Sequence, residues 1–168
     1  MTVREATPED LDAIMAIEHR SFPTDAWSSE AMALELASPH GRYLVDEHEG
    51  AIIGYGGVRA LQGSSDADIQ TIAFDVEHRG AGRGRALLRS LLDLAAERGA
   101  REVFLEVRAD NPGAEGLYRS EGFEEIGRRP RYYQPDDVDA IVMRLALKHR
   151  RPEHRDETAP DAAKEASA

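Results

Sequence analysis

The sequence has no cysteine and only two lysines, Lys148 and Lys164, both near its end. The first absence excludes disulfides, thiolate metal sites and a cysteine nucleophile, and it suits a reducing compartment. The second excludes a Schiff-base or phosphate-clamping lysine anywhere in the body of the chain. No stretch approaches the roughly 18 apolar residues of a membrane span. Arg4, Glu5, Glu9 and Asp10 stand where a signal peptide would be apolar, so the expected location is the cytoplasm, with no membrane partner. Basic charge is also scarce. With 32 acidic against 21 basic residues the net charge is −11, which argues against a general nucleic-acid binder. The excess lies before residue 148, because 148–168 is balanced in charge. An acidic surface attracts a basic substrate, such as a cationic peptide or polyamine; it also serves solubility.

The 168 residues present suit one domain with a sizeable core. Thr2 to Glu5 has the pattern of a short strand. Thr7-Pro8-Glu9-Asp10 opens a helix, with Thr7 as N-cap and Pro8 at the first position, and Leu11, Ile14, Met15 and Ile17 form its apolar stripe. A loop holding Trp27, the single tryptophan, leads to a second helix capped by Ser28 or Ser29. Three strands follow, at about 42–47, 51–61 and 66–76. In the third, strict alternation puts Ile69, Thr71 and Ala73 on one face and Gln70, Ile72 and Phe74 on the other. A helix from Gly84 carries Leu87, Leu88, Leu91, Leu92 and Ala95 at three- and four-residue spacing, and Gly99 suits its C-cap. Then come strand Glu102 to Arg108, a short helix capped by Asn111, a strand from Phe123, and a last strand Ala140 to Leu147. The expectation is a single α/β domain over 1–147 with one mixed sheet. The tail 148–168 lacks apolar periodicity and is expected to be disordered.

The turn R79-G80-A81-G82-R83-G84-R85 stands between an apolar strand and this amphipathic helix. Amides at a helix N-terminus lack intrahelical partners, glycines let the backbone approach a ligand, and the helix dipole favours an anion. Arg79, Arg83 and Arg85 can add charge-assisted contacts to phosphate. The turn is neither a Walker loop, having no Lys-Ser/Thr, nor the Rossmann G-x-G-x-x-G. A tight turn with solvated arginines remains the alternative.

Arg-x-x-Gly-x-Gly after a strand ending in Asp-Val, with Leu-Leu opening the helix, resembles the pyrophosphate motif of the GCN5-related N-acetyltransferases. The order of elements resembles that family over about residues 2–147. F-L-E-V-R-A-D-N at 104–111, L-Y-R-S-E-G-F at 117–123 and R-Y-Y-Q-P at 131–135 narrow the likeness to RimI-type N-terminal acetyltransferases. The resemblance implies a mixed, mostly antiparallel sheet flanked by about four helices. It implies acetyl-CoA as cosubstrate, no metal, and a basic ribosomal protein as partner, acetylated on its N-terminal alanine. An acetyltransferase for a small amine or a lysine side chain, and a non-catalytic acetyl-CoA-binding regulator, are the alternatives.

By the same resemblance Glu106 is the base and Tyr118 the acid. Glu106 lies in an otherwise apolar strand, where desolvation would strengthen it as a base; it could instead be a glutamate paired with Arg108. Tyr118 could be a core tyrosine. The resemblance gives cofactor contacts to Ile72, Ala73 and Phe74, to the loop residues Arg79, Gly80, Ala81, Gly82, Arg83, Gly84 and Arg85, and to Asn111, also the helix cap. It gives the acceptor Trp27, Arg131, Tyr132 and Tyr133, which would otherwise be structural aromatics and their neighbour. The family's strand around Ile72 carries a bulge that this sequence does not display. Gly113 and Gly116 stand where the family has alanine and isoleucine, and Arg83 where an aliphatic residue is usual.

Overall fold

The computed structural model describes residues 2–150. Thr2–Glu5 forms β1, followed by one 3-10 turn at Pro8–Asp10, then α1 (Leu11–Ser21) and α2 (Ser29–Ala37). The expected cap is present in a reciprocal form, with the Thr7 amide donating to Asp10 Oδ2 at 2.8 Å. β2 (Gly41–His48), β3 (Ala51–Ala60) and β4 (Asp66–Phe74) form a meander, and α3 (Arg83–Glu97) follows the glycine turn. β5 (Glu102–Arg108), α4 (Pro112–Ser120), β6 (Glu124–Tyr133) and β7 (Val138–Ala146) complete one seven-stranded sheet in the order β1-β2-β3-β4-β5-β7-β6. Every pairing is antiparallel except β4 with β5. The mixed sheet and four helices agree with the expected fold class.

The sheet has a core on each face. Leu87, Leu88, Leu91 and Leu92 of α3 pack with Ile69, Phe74, Leu105, Val107 and Tyr118. Ile14, Met15 and Ile17 of α1 pack on the other face with Met32, Tyr43, Tyr55 and Ala73. Apolar spacing predicted both stripes, because a helix buries the residues three and four apart.

β4 departs from the alternation read in its sequence. Gly57 pairs with Thr71 but Val58 with Ile69, so Gln70 has no residue opposite it. One extra residue reverses the faces beyond it. Ile69 therefore shares the α3 face with Phe74, while Ala73 lies on the α1 face. This corrects the expected grouping of Ile69 with Ala73, and supplies the bulge that the sequence did not display. β4 and β5 pair only over Asp66–Asp68 and Glu102–Phe104. Beyond that point the two strands part.

The chain expected to be a tail begins within the described region. Leu147–His149 forms a 3-10 turn and Arg150 donates to Asp93 Oδ1 at 2.6 Å; 151–168, expected to be disordered, lies outside the described residues. No helix among the described residues is long and apolar enough to cross a membrane.

Gly116 is exposed at the centre of α4, and an added Cβ would meet nothing within 4 Å. Gly116→Ala is expected to raise stability by about 1 kcal/mol, the helix-propensity difference, measured by urea denaturation.

Candidate active site

Where β4 and β5 part, a cavity of about 530 Å³ opens against the start of α3. Its walls come from β4 (Ile72, Ala73, Phe74), the glycine turn (Arg79, Gly80, Gly82, Gly84, Arg85) and α4 with its cap (Asn111, Gly113, Ala114, Leu117, Tyr118). Ser21, Phe22 and His78 complete the lining. Ten of the residues singled out in the sequence thus share one cavity. Ser21, Phe22 and His78 were missed because they carry no motif; only the tertiary fold brings the end of α1 over the turn. Gly113, noted in the sequence only as a departure from the family's pattern, presents bare backbone to the cavity.

The turn has the local geometry of an anion cradle. Gly80 and Gly82 have φ of 83° and 80°, a left-handed backbone that glycine adopts without strain. Gly82 is the N-cap of α3, and the first intrahelical bond is Ala86 N–H to Gly82 O at 3.1 Å. The amides of Arg83, Gly84 and Arg85 precede that bond, so they are the ones a helix leaves for a ligand. Arg79 is held across the mouth by its Nε on Phe74 O at 2.9 Å. Arg85 is braced from behind, with Nη1 on Ser120 Oγ at 2.9 Å and Glu121 Oε2 at 2.7 Å. Glu121 also takes Nε of Arg89 at 2.7 Å. Burial pushes the Glu121 carboxyl upward, but Arg89 and Arg85 outweigh it and hold it below its usual value. Two guanidiniums, Arg85 and Arg89, share this one carboxylate, which braces Arg85 at the start of α3.

Two turn residues do not join the lining, Ala81 and Arg83. The expectation that the Arg83 side chain meets phosphate is corrected here. Its Nη1 lies 3.0 Å from Oδ2 of the fully buried Asp46, and its Nη2 lies 3.2 Å from Nδ1 of His48. A buried carboxylate claims a nearby guanidinium before solvent or ligand can. Arg83 keeps only its main-chain amide for the cavity.

The two groups expected to move protons lie apart, Tyr118 in the cavity wall and Glu106 outside it. Tyr118 is buried on the α3 face, and desolvation pushes its phenol up to about 12. Glu106 alternates with Leu105 and Val107, which belong to the α3-face core, so it points to the opposite face. It is exposed rather than desolvated, contrary to the reading of its apolar neighbours, and it does not line the cavity. Its ion-pair partner is Arg129, at 3.5 Å, and not Arg108. Of the residues expected to hold an acceptor, Tyr132 and Tyr133 are linked to it through Arg129. The Arg129 guanidinium is 5.5 Å from the Tyr132 ring, which makes an edge contact with Tyr133 at 5.2 Å. Arg131 has a left-handed φ of 53° and donates its amide to Asp139 Oδ1 at 2.9 Å, where β6 leaves its register with β7. Trp27 packs against the α1-face core, and its amide donates to Glu18 Oε2 at 2.8 Å. Glu18, buried and bonded also to the Tyr55 hydroxyl, escaped the sequence reading because a glutamate within an amphipathic helix gives no sign of burial.

Residues 11–123, which carry the turn, all four helices and most of both cores, match the Acetyltransferase (GNAT) family. The chain belongs to that family. It is 40% identical over 147 residues to the N-alpha-acetyltransferase RimI of Mycobacterium tuberculosis, covering 86% of this chain and 91% of that one. Its structure superimposes on the ribosomal-protein-S18-alanine N-acetyltransferase of Escherichia coli with a TM-score of 0.79 at 32% identity, covering 87% of this chain and 93% of the other. An uncharacterized protein of Mycobacterium leprae is 41% identical over 141 residues; the match takes in 82% of this chain and 38% of that longer one. The chain therefore has the fold of a GNAT acyltransferase and falls in its RimI branch.

Arg83→Ala separates the two roles of that residue. Leaving Asp46 buried without its partner is expected to cost about 3–5 kcal/mol of stability in urea denaturation. A side chain that bound phosphate would instead weaken ligand affinity and leave stability near that of the wild type.

Proposed function

We propose that the chain transfers the acetyl group of acetyl-CoA to the α-amino group of a protein N-terminus, the N-terminal alanine of a small-subunit ribosomal protein. The observation that carries this reading is the placement of Glu106 and Tyr118 on opposite faces of the sheet, with the opening between β4 and β5 between them. Acyl transfer needs its nucleophile and its leaving group on different sides of the carbonyl carbon, each beside a group of the right protonation state. The relatives named for N-terminal or ribosomal-alanine acetylation support the acceptor. So does the acidic surface, which favours a basic protein.

The residues present suit acetyl-CoA. The amides of Arg83, Gly84 and Arg85, with the Arg79 and Arg85 side chains, take the diphosphate. The β4 edge over Ile72–Phe74, which has no strand partner on its β5 side, takes the pantetheine as an added strand, and one of its amides polarises the thioester carbonyl. Asn111 caps α4, accepting from the Ala114 amide at 3.2 Å, and so fixes the wall that holds Tyr118. The cosubstrate supplies the activated acetyl group.

Glu106 accepts the proton of the incoming ammonium through one water, since its carboxylate stands outside the cavity. The amine nitrogen bonds to the carbonyl carbon, the carbon–sulfur bond breaks, and the second proton, which the nitrogen sheds on becoming an amide, passes to the sulfur by way of the Tyr118 hydroxyl. Tyr118 stays protonated because burial holds its phenol at about 12. Full proton transfer from such a phenol to a thiolate of ordinary value about 8.5 is uphill by about 5 kcal/mol. Desolvation in the same cavity raises the thiolate as well and narrows that gap. Tyr118 therefore serves first as a hydrogen-bond donor to the departing sulfur.

Acetyl transfer to a peptide panel, read by mass spectrometry with thiol release in parallel, tests this reading. Peptides starting with Ala, Ser, Thr or Met, an N-blocked lysine peptide and spermidine form the panel. Acetylation confined to free N-termini, alanine foremost, is the expected outcome; product only on lysine or spermidine overturns the acceptor. Glu106→Gln is expected to lose about 100-fold or more in kcat/KM while still binding acetyl-CoA. Full activity in that variant would remove Glu106 as the base.

A further inference from the structure

On the Glu106 face of the sheet, two residues along the same strand, Arg108 gathers carboxylates from three separate segments. Its Nε and Nη2 donate to Oδ1 and Oδ2 of Asp110 at 2.9 and 3.0 Å. Its Nη1 reaches Asp25 Oδ2 at 3.3 Å and its Nη2 reaches Asp136 Oδ2 at 3.0 Å. Asp25 belongs to the loop between α1 and α2, Asp110 to the turn between β5 and α4, and Asp136 to the turn between β6 and β7. The Thr24 hydroxyl adds a direct link from the first segment to the third, donating to Asp136 Oδ2 at 2.6 Å. The Tyr133 ring lies 5.2 Å from the guanidinium.

Three features separate this cluster from a surface salt bridge. The Arg108 side chain is only 17% exposed, so its contacts are poorly screened. One guanidinium serves three carboxylates, leaving two negative charges in the cluster, so removing Arg108 would set like charges against one another. All its nitrogens are engaged, which diverts Arg108 from Glu106 and leaves that carboxylate to the exposed Arg129. The Arg108 hydrogen bond holds the Asp110 carboxyl below its usual value, and Thr24 followed by Arg108 does the same for Asp136, so both remain charged under mildly acid conditions.

We propose that Arg108 is a positioning residue for the acceptor, tying the α1–α2 loop to the β6–β7 turn beside Glu106 and fixing the Tyr133 ring between them. This rests on the reading that the acceptor amine arrives on the Glu106 face. Arg108 is not among the residues lining the cavity; it acts through the segments it joins.

Arg108→Lys keeps the charge but loses the planar fork that reaches three carboxylates. With an Ala-starting peptide it is expected to raise the peptide KM about tenfold while kcat changes less than about threefold and acetyl-CoA affinity is unchanged. Asp136→Asn moves KM the same way by less, and the double variant is no worse than Arg108→Lys because both break one network. Trp27, the single tryptophan and two residues from Asp25, reports the loop directly. Acrylamide quenching of its fluorescence is expected to rise in both variants. A fall in kcat with KM unchanged, or quenching equal to wild type in both variants, overturns the proposal. If wild type acetylates no free N-terminus, the proposed reaction fails by itself, and quenching still decides whether the segments are tied. Should Arg108→Lys not fold, Asp136→Asn carries the same KM and quenching test.

Discussion

The site depends on two parallel strands that stop pairing. β4 and β5 share three residue pairs and then separate, although both strands continue. A sheet interior normally satisfies its backbone groups across each strand, so a gap there is costly unless something fills it. The extra residue at Gln70 turns β4 as it leaves. The helix start, the glycine turn and α4 then stand around an opening that runs into the sheet. A continuous β4–β5 pairing would remove the cavity and every role argued for its lining.

Charge is distributed to match this geometry. The chain is acidic overall, yet the glycine turn and the first turn of α3 bring Arg79 and Arg85 into the cavity wall. On the other face Arg108 stands among Asp25, Asp110 and Asp136. An anion is thus favoured at one end of the opening and a cation on the opposite face. That polarity is what transfer from an anionic acetyl carrier to an ammonium-bearing acceptor requires.

The local elements were legible because they rest on short-range patterns. The leucine spacing of α3, the Asn111 cap and the limits of β5 hold in the structure. The loop glycines and Tyr118 could be placed together because a motif binds them to a known arrangement. Properties that depend on distant residues could not be read. The bulge at Gln70 exists through pairing with β3, and without it Ile69 and Ala73 would have shared a face. Arg83 resembles its neighbours in the turn until Asp46, buried in β2, is seen beside it. Glu106 sits among apolar residues in sequence but on the exposed face in space, and Arg108 turns to three aspartates rather than to it. Side-chain alternation gave the face; only the fold gives the environment.

The most direct test of the central claim is amide hydrogen exchange with and without acetyl-CoA. The account predicts new protection in two separated stretches, Ile72–Phe74 on the open edge of β4 and Gly82–Arg85 at the start of α3, with β6 unchanged. Protection at the turn alone would contradict the role of the parted strands. Protection in neither stretch, with acetyl-CoA bound, would place the cosubstrate elsewhere and contradict the account as a whole.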